Sequence, residues 1–148
     1  MKVGGPRAIV ITGCSTGIGR TCALTLARAG YRVFAGVRRT QDGESLQAEA
    51  GSAALTPLMF DVTDEEAVAR AAATVREELG DAGKLAGLVN NAGIAVYGPL
   101  ELLPIETLRR QFEINVIGHV TVTQAFLPLL RRDRGRVIMI GSSSSFLT

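Results

Sequence analysis

Cysteine is scarce in this chain: Cys14 and Cys22 are the whole complement. Two thiols supply neither a disulfide framework nor the ligand spacing of a metal centre. They read as small residues kept in a reducing compartment, and no metal is expected. Long apolar runs are missing as well, so no segment reads as a bilayer span. The apolar stretch after Lys2 and Arg7 is too short for a secretory signal, and the expectation is a cytoplasmic protein with no membrane partner. An excess of one charge is also lacking: 16 Lys+Arg against 14 Asp+Glu leave a net charge of +2, which argues against a nucleic-acid surface. The basic run at 131–136 fits a solvated helix C-terminus, where arginines complement the negative end of the dipole. Histidine occurs once, as His119, and with no partner pattern it reads as a packing or interface residue.

What is present is a core-forming composition. With 148 residues, 47% hydrophobic and 20% charged, the chain fits one domain over 1–148 with room for a sizeable core. The most informative stretch is Ile9-Val10-Ile11-Thr12-Gly13-Cys14-Ser15-Thr16-Gly17-Ile18-Gly19-Arg20. A β-branched run enters a glycine-rich turn and a helical pattern leaves it, the arrangement that presents a phosphate to a helix N-terminus. Gly13 suits the tight turn, and Gly17 and Gly19 are expected to let a pyrophosphate approach the backbone.

Helical and strand patterns then alternate. The sequence predicts helices over 18–29, 44–50, 63–80 and 104–130, and strands over 31–37, 55–60, 85–90 and 136–141, with a serine-rich tail over 142–148. Thr63 and Glu66 have capping-box spacing at the start of the third helix. Pro128 is expected to bend the last turn of the long fourth helix. Strands alternating with helices imply parallel βαβ units with right-handed crossovers, hence an α/β doubly wound sheet of order 3-2-1-4-5. Pro57 supports that order, because proline cannot donate to a ladder and belongs at a sheet edge. Gly13, Arg38, Asp61, Asn90 and Ser142 all fall at the carboxyl ends of strands, where such sheets bind ligands.

The end of the second strand discriminates between coenzymes. A site for the unphosphorylated ribose usually carries a carboxylate there, whereas this chain has Val37 and Arg38. A guanidinium binds a 2′-phosphate bidentately, so the expected coenzyme is NADP(H) in preference to NAD(H), with Arg38 the main contact and Arg39 its helper. Asp61 either accepts from an adenine amino group, with Val62 beside the ring, or serves the dipole of the following helix. Asn90 and Asn91 either bond ribose and neighbouring strands or form a polar turn.

Together, Thr12-Gly13-Cys14-Ser15-Thr16-Gly17-Ile18-Gly19, Asp61-Val62, Asn90-Asn91-Ala92-Gly93, Asn115 and Gly141-Ser142 resemble, in order and spacing, the short-chain dehydrogenase/reductase family. The segment 90–142 is particularly similar to its retinol and 17β-hydroxysteroid dehydrogenase branch. The resemblance implies a Rossmann fold and nicotinamide-dependent hydride transfer with a carbonyl or alcohol substrate. It implies coenzyme contacts from Thr12, Gly13, Ser15, Thr16, Gly17, Ile18, Gly19, Asp61, Val62, Asn90, Ala92 and Gly93. Asn115 looks like the asparagine that bends the fourth helix and holds a water in a proton relay. Ser142, with Ser143 as the alternative register, looks like the serine that hydrogen-bonds the substrate oxygen. A homodimer or tetramer is the assembly that the resemblance implies. The apolar loop Ile94-Ala95-Val96-Tyr97 suits a lipophilic substrate.

That family also uses a tyrosine with a lysine four residues on. Here Tyr31 and Tyr97 are followed at that distance by Ala35 and Glu101, and the lysines are Lys2 and Lys84. The expectation is therefore the N-terminal, coenzyme-binding portion of a longer enzyme, inactive by itself. The alternative is a non-catalytic nucleotide-binding fragment or a truncated gene product. A nucleotide epimerase or dehydratase fits less well, because its usual Gly-x-x-Gly-x-x-Gly loop does not match Gly13, Gly17 and Gly19.

Overall fold

Residues 7–51 and 54–142 are described by a computed structural model of the chain. Five strands, β1 (Arg7–Ile11), β2 (Arg32–Val37), β3 (Leu55–Met59), β4 (Lys84–Asn90) and β5 (Arg136–Met139), form one parallel sheet in the order β3-β2-β1-β4-β5. Pro57 lies opposite Ala35 on the outer strand β3, as its missing donor requires.

The two-residue period of the strands sorts side chains onto two cores. Ala8, Val10, Phe34, Leu85 and Leu88 face one side, where they meet α3 (Glu65–Leu79) and α5 (Gly118–Asp133). Ile11, Val33, Ala35, Val37 and Val89 face the other, against α1 (Gly17–Arg28) and α2 (Thr40–Ala50). In α3 the buried residues Val68, Ala71, Ala72, Val75 and Leu79 recur at helical spacing and form the stripe that docks. Both faces of the central strands are covered, which explains their near-continuous apolar sequence.

Four local expectations need correction. First, α2 begins at Thr40, well before 44. Gly43 sits inside it because a Cβ there would lie 2.9 Å from Pro57 Cβ, so a contact of helix on edge strand requires the glycine. Second, the cap of α3 is Asp64, whose side chain accepts from Ala67 N, while Thr63 gives its amide and hydroxyl to Asp61. Third, the long fourth helix is interrupted: α4 (Ile105–Phe112) runs into a π-helical segment, Glu113–Ile117, before α5. Fourth, β5 ends at Met139. Pro128 lies within α5, which continues past it to Asp133. The tail from 143 onward, including Ser143, lies outside the described residues.

Candidate functional site

The site starts from one buried hydroxyl. Thr12 leaves β1 fully buried, and its Oγ1 accepts from Asn91 N at 3.0 Å and Ala92 N at 2.9 Å. Asn91 answers with its amide Nδ2, which donates to Thr12 O at 2.9 Å and Gly13 O at 3.0 Å. The ends of β1 and β4 are thereby closed on each other by side chain–backbone bonds in both directions. Gly13 lies in this closure with φ +70°, and a Cβ on it would fall 2.7 Å from Ala92 Cα. No other residue type fits that turn.

The glycines that follow divide their work differently from the expectation. Gly17, at φ +59°, has nothing within 4 Å of where its Cβ would be, so the space over the start of α1 is open. Gly19 instead turns inward, and a Cβ there would overlap Gly13 O and the Asn91 amide. Its missing Cβ lets α1 pack against the loop. Thr16 precedes α1 in extended conformation and makes no side-chain cap bond to it. The first-turn amides thus face the opening without that hydroxyl as competitor, which suits a bound anion. These features, the glycine cradle above all, fit a dinucleotide pyrophosphate.

A cleft of about 220 Å³ runs from this loop across the strand ends, lined by Gly13, Ser15, Thr16, Arg38, Asp61, Val62, Asn91, Ala92 and Gly93 among others. Gly36, Val37, Phe60, Ile94 and Ile114 complete its wall; of these, Gly36, Phe60 and Ile114 carried no site signal in the sequence. Arg38 is 63% exposed along its side chain, with Nη1 3.8 Å from Asp61 Oδ2. Burial works against the charge on Asp61, but both Thr63 hydrogen bonds, with Arg38 and Arg110 nearby, outweigh it and hold the carboxyl below its ordinary range.

Arg39 and Asn90, both expected to contact the coenzyme, engage other side chains. Arg39 does not line the cleft; Nε and Nη2 grip Asp42 at 2.9 and 3.1 Å, a bidentate pair at the start of α2. That pair is the first cause holding the Asp42 carboxyl low, and a Ser15 hydroxyl bond adds to it despite partial desolvation. Asn90 is fully buried and turned toward α5 and β5, donating to Thr123 Oγ1 at 2.9 Å and Met139 Sδ at 3.3 Å. Asn91, one residue on, is the asparagine that reaches the cleft. Alternation along β4 sends neighbouring side chains to opposite faces, and a doublet of identical residues conceals which one is which.

At the other end a wider cavity of about 790 Å³ brings together Ile18, Gly93, Asn115, His119, Gly141 and Ser142. Asn115 sits in the π segment, with Oδ1 accepting from Ile94 N at 2.9 Å and Nδ2 donating to Ile94 O at 2.8 Å. Its amide pins the loop after Gly93, and the extra residue of the π turn aims it there. His119 Nε2 lies 2.6 Å from Ala92 O. The residue read as packing is a strut from α5 to the cleft floor. Cys14 is fully buried, and burial first, then nearby Cys22, pushes its thiol up to about 12 against a backbone hydrogen bond, so it stays an inert filler. Among the described residues no three His, Cys, Asp or Glu side chains gather as a metal site. No helix among them is long and apolar enough to cross a membrane.

Comparison with known proteins bears on this geometry. The sequence profile of the short chain dehydrogenase family matches residues 7–148. Human retinol dehydrogenase 5 is 44% identical over 135 residues, covering 90% of this chain and 42% of that protein. An NADPH-dependent 3-dehydrocapnine reductase from Ornithobacterium rhinotracheale is 39% identical over 147 residues, covering 96% of this chain and 51% of the reductase. The fold is similar to that of a short-chain dehydrogenase from Streptomyces avermitilis, with a TM-score of 0.86 and 32% identity over 100% of this chain and 53% of that one. The chain spans about half the length, or less, of the relatives it matches.

Proposed function

The chain belongs to the short-chain dehydrogenase family, with a retinol dehydrogenase among its relatives, and from that premise we propose that it carries the NADP(H)-binding side of a carbonyl–alcohol oxidoreductase. The observation that carries the reading is the Thr12–Gly13–Asn91–Ala92 closure, which leaves a glycine cradle and an uncapped helix start facing one cleft with Arg38 at its far wall.

When bound, a nicotinamide coenzyme supplies or accepts the hydride that interconverts a carbonyl and an alcohol. The chain's own residues bind and orient. Backbone amides at the start of α1, beside Ser15 and Thr16, hold the pyrophosphate. Arg38 holds the 2′-phosphate as a planar fork. Asp61 and Val62 bound the adenine end, and Ala92 and Gly93 form the floor toward the wider cavity. There Ser142 hydrogen-bonds the substrate oxygen, and Asn115 is a positioning residue that holds Ile94. Ile94, Ala95, Val116 and Val120 make that cavity suited to a lipophilic carbonyl or alcohol. A homodimer or tetramer and a cytoplasmic location are part of the proposal. The first follows from the family resemblance and the second from two unpaired cysteines.

Calorimetric titration of the soluble chain is expected to show NADPH binding tighter than NADH by roughly ten- to a hundredfold, the worth of a charge-assisted pair. Arg38→Asp should abolish that preference. Equal or tighter NADH binding, or no affinity for either coenzyme, overturns the reading. One observation favours a second reading, a nucleotide-holding chain without turnover: neither tyrosine is followed four residues on by lysine. Tight NADPH binding with no oxidation in the presence of aldehydes would select it.

A further inference from the structure

With Arg39 engaged by Asp42, the 2′-phosphate would be left with Arg38 alone, and Arg38 already lies 3.8 Å from the Asp61 carboxylate. A phosphate monoester brings a charge of about −1.5 to −2, more than one shared guanidinium balances. The structure places another cation in the adjoining cavity. Beyond Asp61 a second cavity, about 710 Å³, is lined by Arg38, Asp61, Arg109, Arg110 and Phe112. It shares Arg38, Asp61 and Ile114 with the coenzyme cleft, so these residues form a common partition. Two of its acids face basic partners: Asp61 is near Arg38, and Glu106 lies 3.5 Å from Arg109. Arg110 makes no ion pair within 4 Å among the described residues; Glu113, one turn on, lines the same cavity without reaching that distance.

We propose that Arg110, in the last turn of α4, is the second cation of the 2′-phosphate subsite and a determinant of coenzyme choice. It does the work that its sequence position beside Arg38 suggested for Arg39. The influence of Arg110 on Asp61 supports the placement, because the same carboxylate responds to both Arg38 and Arg110. Three cations and three carboxylates line this second cavity, and Arg110 gives Asp61 a cation besides Arg38. A bound phosphate can then take Arg38 without leaving Asp61 uncompensated. The inference rests on the NADP(H) reading and deepens it.

The test uses the whole chain and reads binding rather than turnover. Affinities for NADPH, NADH, 2′,5′-ADP and 5′-AMP are measured by calorimetry for the wild type, Arg110→Gln, Arg110→Lys and Arg39→Gln, with thermal melting to confirm that each is folded. Arg110→Gln is expected to weaken NADPH and 2′,5′-ADP about tenfold while NADH and 5′-AMP change less than about twofold. Arg110→Lys should recover part of the loss, and Arg39→Gln should change nothing beyond about twofold. If the wild type prefers NADPH and Arg110→Gln keeps that ratio, this inference falls and the coenzyme reading stands. A loss shared equally by NADPH and NADH also overturns it, since Arg110 would then support the fold or the adenosine in general. A wild type without preference removes the coenzyme reading, and this inference with it.

Discussion

Thr12 exposes no surface, yet it shapes a surface cleft. Its single oxygen accepts two backbone amides of the neighbouring strand end, and its own carbonyl takes the Asn91 amide. Replacing it with valine keeps the volume and removes the acceptor, leaving two half-buried donors without it. Each such donor costs about 1–3 kcal/mol, so Thr12→Val should lower the urea unfolding free energy by roughly that amount or more. Thr12→Ser, which keeps the hydroxyl, should lose much less. Equal stability of the valine variant and wild type would show that the closure is held by other contacts. At this scale the sequence was legible wherever a residue's chemistry could be used in one way. Gly13 and Arg38 stand where their types suggest. It was illegible where uses compete or the partner is far along the chain. Arg39 could serve a phosphate or pair with Asp42 three residues on, and its type does not choose between them, while nothing near Gly19 says that its missing Cβ makes room for Asn91.

Elements show the same division. The body of α3 could be read, though not its cap, because a docking stripe at helical spacing is a local pattern. The π segment was marked only by the resemblance, which has Asn115 bend the fourth helix; no local pattern shows it, since Asn115 pairs with Ile94 from a different element. The end of α5 was read as a solvated arginine run, and it holds a buried carboxylate. Asp133, with a side chain 6% exposed, accepts from Leu85 N at 2.8 Å and from Arg132 Nε and Nη2 at 2.8 and 2.9 Å, fastening α5 to β4. Arg132 is the first cause lowering its carboxyl; burial opposes it, and the Leu85 amide and the Arg132 charge add to the lowering. A folded-state value below the unfolded one means that the unfolded chain binds more protons in acid. The stabilisation from Asp133 is therefore complete above the ordinary aspartate value of about 4 and is lost as pH falls through the lower folded value. Asp133→Asn should be less stable than wild type at pH 7 by urea unfolding, and the gap should close as the solution is acidified below about pH 4. A gap independent of pH would mean that the charge of Asp133 contributes nothing.

For the molecule as a whole, strand order followed from alternation and from Pro57 because topology rules leave few ways to wind βαβ units. Coverage of the sheet is a separate matter. A parallel strand is normally buried on both faces, and β1, β2 and β4 are. Among the described residues β5 pairs with β4 alone, and along its length Val137, Ile138 and Met139 are 39, 49 and 53% exposed. Apolar side chains on an exposed outer strand, with backbone groups beside them, favour pairing between copies. Ile138 contributes little burial, so Ile138→Lys should change the unfolding free energy by no more than about 1 kcal/mol. The charge should nevertheless oppose edge-to-edge contact. Light scattering over a concentration series is expected to show the variant dispersed where wild type associates. A charge at Val137 or Met139, which project to the opposite face, should act in the same direction, because the repulsion is along the edge and not within one apolar face. If both substitutions leave association unchanged, the outer edge of β5 is not where copies of this chain meet.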